Sequence, residues 1–133
     1  MLLRSDMKVL EYGSGGSSTL FSKWVDKWVS IEHDRCGANP LYLELNESNW
    51  LLRWWGQKVK SMIKEMKLES KVSVYIVPNN KKYDQKRHGD GDEIQFRSYI
   101  NFAAQLNTTF DLVLDDGRAR VPVRFVGLRN TNL

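Results

Sequence analysis

The chain has 133 residues, of which 41% are hydrophobic and 27% charged, with 9 Gly, 3 Pro and a single Cys. That balance excludes a disordered, collagen-like or disulfide-stapled chain, and a chain of this length buries roughly two-thirds of its extended surface, enough for one core. A net charge of +4 attracts polyanions weakly and falls short of a dedicated nucleic-acid footprint.

Short apolar runs alternate with longer amphipathic ones, the pattern of βαβ units around a parallel sheet. Met7 to Tyr12 reads as a first strand that ends in Gly13-Ser14-Gly15-Gly16, where the chain turns sharply. Ser17 and Ser18 are placed to cap a helix from Thr19 to Asp26, whose Leu20, Phe21, Trp24 and Val25 are expected to form an inward apolar face. Trp28 to Glu32 is a second strand. Arg35 to Asn49 carries an Asn39-Pro40 turn signal and reads as loop or short helix.

Trp50 to Lys67 is a helix by the spacing of Leu51, Trp55, Val59, Met62 and Met66, with Lys58, Lys60, Lys64 and Lys67 mostly on its other face. Lys71 to Val77, rich in β-branched residues, is the third strand. Pro78 to Glu93 is a long polar loop of the kind that carries function or stays unfolded. Ile94 to Leu106 reads as a helix with Phe96, Tyr99, Ile100 and Ala103 inward, and Phe110 to Leu114 as a buried fourth strand ending in Asp115-Asp116-Gly117-Arg118. A further helix is expected to begin within Ala119 to Leu128, where Pro122 restricts its start. The expected architecture is a single three-layer α/β domain over residues 1–133, with parallel strands ordered 3-2-1-4 and a ligand crevice above strands 1 and 4.

The chemistry concentrates at Glu11-Tyr12-Gly13-Ser14-Gly15-Gly16-Ser17. Glycine removes the Cβ, so backbone there can take positive φ and a ligand can approach closely, while free N–H groups at a helix start suit a carboxylate or phosphate. About 20 residues on, Glu32 stands at a strand end, where an acid can accept from both hydroxyls of a ribose. A dinucleotide fingerprint wants a third glycine or alanine where this chain has Ser18. Glu11, two residues before the first glycine, suits instead the ammonium of a methionyl group. Together these favour S-adenosylmethionine over NAD.

The run Val9 to Ser18 resembles motif I of class I S-adenosylmethionine-dependent methyltransferases, and Val29-Ser30-Ile31-Glu32-His33-Asp34 resembles the segment that follows it. Phe96 to Tyr99, then Phe110 to Arg120, is similar to the fourth-strand region of a subgroup ending in Asp-Gly-Arg-x-Arg. The resemblance spans most of residues 7 to 121. It implies a Rossmann-like fold that moves a methyl group from S-adenosylmethionine to an acceptor by in-line displacement. It implies that Gly13, Ser14 and Gly15, with Glu11 and Ser17, line the methionine portion. Glu32 would hold the ribose, His33 would lie beside the adenine, and Val77 to Asn79 would approach the adenine edge. Asp116 would stand at the mouth of the site, near the sulfonium, as the carboxylate that orients or deprotonates a hydroxyl acceptor. Tyr83, His88 and Arg118 are the candidate substrate contacts.

Two departures follow. Arg35 to Asn49 looks like an insertion, and only 17 residues follow Asp116, so four strands are read where the family has seven. A C-terminally truncated methyltransferase-like domain is therefore expected, completed by an oligomer or partner or surviving as a non-catalytic remnant; an NAD-binding oxidoreductase domain is the third reading.

The remaining signals are weaker. The five tryptophans (Trp24, Trp28, Trp50, Trp54, Trp55) are expected in the core, and Lys81, Lys82, Lys86, Arg87 and His88 on a solvated loop. A small-molecule substrate is expected, nucleic acid is weakly supported, and the spacing of His33, His88 and Cys36 suggests no metal site. With one Cys no intrachain disulfide forms, and Arg4, Asp6 and Lys8 interrupt any leader-like apolar run. No apolar run reaches the ~20 residues a bilayer span needs. A cytoplasmic protein that makes no use of membrane is the expectation.

Overall fold

The computed structural model describes residues 2–34, 55–78 and 97–115. The strands are β1 (Lys8–Tyr12), β2 (Lys27–Asp34), β3 (Val72–Pro78) and β4 (Leu112–Asp115). The helices are α1 (Gly16–Leu20), α2 (Trp55–Glu65) and α3 (Arg97–Gln105), and a 3-10 turn (Ser22–Trp24) follows α1. The four strands form one parallel sheet in the order β3-β2-β1-β4, as the alternation of apolar runs predicts.

Period-two alternation assigns each strand residue to a face. Val9 of β1, Trp28 of β2 and Val72 of β3 join Val25, Val59 and Ile63 in one buried cluster beneath α1 and α2. Leu10 and Tyr12, Val29 and Ile31, and Val77 join Tyr99, Ile100 and Ala103 of α3 in the other. Helices thus cover both faces, and Tyr99, Ile100 and Ala103 of α3 face inward as its spacing predicts, Phe96 lying outside the described residues. The sheet order reverses direction between β1 and β4, and in open α/β sheets the crevice at such a point, beyond the carboxyl ends of the strands, is where ligands bind.

The first helix departs from expectation. It spans only five residues before tightening into the 3-10 turn, and Leu20, Phe21 and Trp24 are exposed; of the expected apolar face only Val25 is buried. The inward residues are Ser18, Thr19 and Ser22. The wholly buried Glu11 on β1 needs donors, and Ser17 and Ser18 of α1 supply two of them, while the Thr19 hydroxyl donates to the Gly16 carbonyl at 3.0 Å. Trp24 stays outside, its ring 5.8 Å from Phe21, whereas Trp28 is fully buried as expected.

Among the described side chains the buried stripe of α2 also differs, comprising Gly56, Val59 and Ile63 while Met66 is exposed. A Cβ at Gly56 would stand 2.8 Å from Ile76 side-chain atoms, so glycine lets the first turn of α2 settle this close to β3 with Ile76 undisturbed. The helix stops short of Lys67 because that residue takes the left-handed conformation, φ 57°, and Leu68 N–H returns to the Ile63 carbonyl at 2.9 Å. Trp50, Trp54, the stretch from Arg35 to Asn49, Asn79 to Phe96 and the expected helix within Ala119 to Leu128 lie outside the described residues. Pro78, expected to open the long loop, closes β3 instead.

Candidate functional site at the carboxyl edge of the sheet

Strand β1 delivers Glu11 and Tyr12 to the sheet's carboxyl edge, and Gly13 begins the bend at φ 89°, a conformation that side chains disfavour. Gly13 N–H donates to the Ile31 carbonyl at 2.8 Å, which ties the bend to β2. Gly15 N–H donates to Ser18 Oγ at 3.2 Å.

Glu32, at the same edge of β2, aims its carboxylate into this bend. Oε2 accepts from both the N–H and the hydroxyl of Ser14, each at 2.8 Å. Oε1 accepts from His33 N–H at 3.1 Å and lies 3.0 Å from His33 Nδ1. Burial by itself would raise the Glu32 carboxyl, but the hydrogen bonds from His33 and Ser14 outweigh it and the net shift is downward. A charged acceptor is thus held ready in a nearly water-free place.

Glu11 anchors a second polar group beneath the bend. Its carboxylate accepts from the hydroxyls of Ser17 and Ser18, from Ser30 Oγ at 2.6 Å and from Trp28 Nε1 at 3.0 Å. Trp28, Ser30 and Glu32 share one face of β2 by alternation, so a single strand presents two donors to one carboxylate and the second carboxylate itself. Sequence reasoning named Glu11, Ser17 and Glu32 but missed Trp28 and Ser30; their period-two spacing with Glu32 was the available signal. It also missed Gly56, which brings α2 to Glu32, where a Cβ would lie 3.5 Å from the Glu32 Cγ.

His33 faces the opposite side of the sheet, where its ring meets Tyr99 edge-on at 5.7 Å. Tyr99 also packs edge-on against Tyr12 at 5.3 Å. Tyr12 donates its hydroxyl to the Ile100 carbonyl at 2.8 Å, and burial, reinforced by Asp115, pushes its phenol well above the ordinary value. Asp115 is the register partner of Tyr12, which fixes the carboxyl end of β4 beside the start of the bend.

The structure therefore brings Glu11, Gly13, Ser14, Gly15, Ser17 and Glu32 together, with His33 directed beneath α3. Asp116, Tyr83, His88 and Arg118 lie outside the described residues. Among the described residues no cluster of three or more His, Cys, Asp or Glu could hold a metal ion, and no helix is long and apolar enough to cross a membrane. Comparison with protein-family models, curated proteins and solved structures returns no match.

Proposed function

We propose that this chain binds S-adenosylmethionine in a Rossmann-like sheet and carries methyl transfer to a small-molecule acceptor. The observation that supports this most is the direction of Glu32, which points its ionised carboxylate into the Gly13–Gly16 bend at the point where the sheet order reverses. An ionised carboxylate there can accept from two ribose hydroxyls. The left-handed Gly13 has no side chain to obstruct the methionyl portion. Glu11, with its four donors, holds the bend from below and brings negative charge near the ammonium.

When bound, S-adenosylmethionine supplies an activated methyl group. The chain's part is to align acceptor and methyl, an advantage of geometry rather than of bond-making. Asp116, one residue beyond β4, is the proposed carboxylate for orienting the acceptor hydroxyl; Tyr83, His88 and Arg118 are proposed to meet the substrate.

A thermal-shift and calorimetric titration with S-adenosylhomocysteine tests the reading. Saturable binding that raises Tm, and that Glu32→Ala abolishes, is the expected result. Tighter binding of NADH than of S-adenosylhomocysteine would favour the dinucleotide-binding alternative.

A further inference from the structure

A second cavity lies at the opposite, amino-terminal edge of the sheet. It measures about 380 Å³ and opens beneath the end of α3, with Lys8 and Lys27 on one side and Val29, Tyr75, Leu106 and Phe110 around it. That volume is within the range of small-molecule sites. Lys8 is five residues from Gly13 along β1, roughly 16 Å at ~3.3 Å per residue, so this cleft is separate from the Glu32 site.

Its composition is selective. Lys8 and Lys27 are register partners on β1 and β2, and alternation places both on the α3 face, with Leu10 and Val29. Two like charges side by side on neighbouring strands repel each other, and an anion between them relieves the repulsion. Lys27 Nζ donates to the Ser70 carbonyl at 3.3 Å, and the Lys8 N–H donates to the Asp111 carboxylate at 2.8 Å, so the backbone and stem of this pair are steadied. Asp26 is the one carboxylate in the lining. Together with Asp111, whose carboxylate sits against Lys8, it offsets much of the two ammonium charges, so the pair suits a single carboxylate rather than a phosphate dianion.

The rest of the lining calls for a flat apolar body. Val29 and Phe110 are buried and form the floor. Tyr75 is more than a third exposed, and its ring is held 5.0 Å from Phe102, presenting an aromatic wall to the opening. Aromatic faces set around a gap favour a ring as guest. Ser73 and Thr108 add hydroxyls at the side.

We propose that this amino-edge cleft binds a small aromatic monocarboxylate, its ring against Tyr75, Leu106 and Phe110 and its carboxylate between Lys8 and Lys27. The site does not depend on the adenosine reading.

The test is a two-dimensional NMR titration of the whole chain with 2-naphthoate, with naphthalene-2-methanol as the neutral ring and acetate as the charge alone. Saturable shifts confined to amides around Lys8, Lys27, Ser73, Tyr75 and Thr108 are expected, with Gly13 to Ser18 unmoved. The neutral ring should bind about tenfold more weakly, the worth of one charge-assisted hydrogen bond. Lys8→Gln and Tyr75→Ala, both at exposed positions and checked for folding by circular dichroism, should each weaken binding about tenfold. Absence of saturation at about 5 mM, a Kd range too weak for a built site, overturns the proposal. So do equal affinity for the neutral ring, indifference to both substitutions, or shifts that fall on the Gly13–Gly16 bend.

Discussion

Ser14 donates twice to one oxygen of Glu32, through its backbone N–H and its hydroxyl, each at 2.8 Å. On the proposed reading the hydroxyl occupies an acceptor position that a ribose hydroxyl would use, and cofactor binding would exchange one hydroxyl for another. Ser14→Ala keeps the N–H bond and vacates that position. Affinity for S-adenosylhomocysteine should rise about three- to tenfold, since a hydrogen bond to a charged group is worth ~1.5–3 kcal/mol and part of it is recovered on binding. Calorimetry on both proteins reads this directly; an unchanged or weaker affinity would mean that the Ser14 hydroxyl does not compete.

The Glu11 cluster should behave as one unit. Ser18 and Ser30 both donate to the same Glu11 oxygen, and removing either leaves a buried carboxylate with one donor fewer. Ser30→Ala should cost about 1.5–3 kcal/mol in urea unfolding, and Ser18→Ala a similar amount. Because the two share a partner, the double variant should deviate from the sum by roughly 0.5–3 kcal/mol. Strict additivity would show that the hydroxyls act independently.

The two ends of the glycine bend should respond in opposite ways. Gly13 sits at φ 89°, so Gly13→Ala forces an L side chain into the left-handed region, at about 1–2 kcal/mol. Gly16 is the first residue of α1, and a Cβ there meets nothing within 4 Å. Gly16→Ala should leave stability unchanged or raise it by up to ~1 kcal/mol through helix propensity. If ligand lies along the bend, the same methyl should weaken S-adenosylhomocysteine binding while the fold is intact. Comparing Tm with affinity for the pair separates backbone conformation from ligand approach.

The sheet was legible in the sequence because each strand carries a compact apolar run between polar segments, and Glu32 was legible because its distance from the glycine bend is that of one βαβ crossover. The inward face of α1 was not. An apolar-moment argument turns Leu20, Phe21 and Trp24 inward, but the buried carboxylate of Glu11 demands hydroxyl donors and outweighs them. Nothing in the local pattern of residues 16–24 carries that demand; it comes from a neighbouring strand. Gly56 is similar, since a glycine in a helical pattern signals close approach without naming Ile76 and Glu32 as what it approaches.

The Glu32 site should also show itself in acid. Its carboxyl is held below the ordinary value of 4.5 because hydrogen bonds from His33 and Ser14 outweigh the effect of burial. A carboxyl depressed on folding contributes stability that is fully present above the unfolded value and lost as pH falls through the folded one. Glu32→Gln keeps the shape and one acceptor oxygen but removes the charge, so it should melt at a lower temperature than the parent at neutral pH. The gap in Tm should narrow as pH drops below about 4.5 and close once the parent carboxyl is itself protonated. A gap that persists unchanged through the acid range would mean that the shape of the side chain, rather than its charge, holds the bend, and the ionised acceptor on which the proposed ribose binding depends would lose its support.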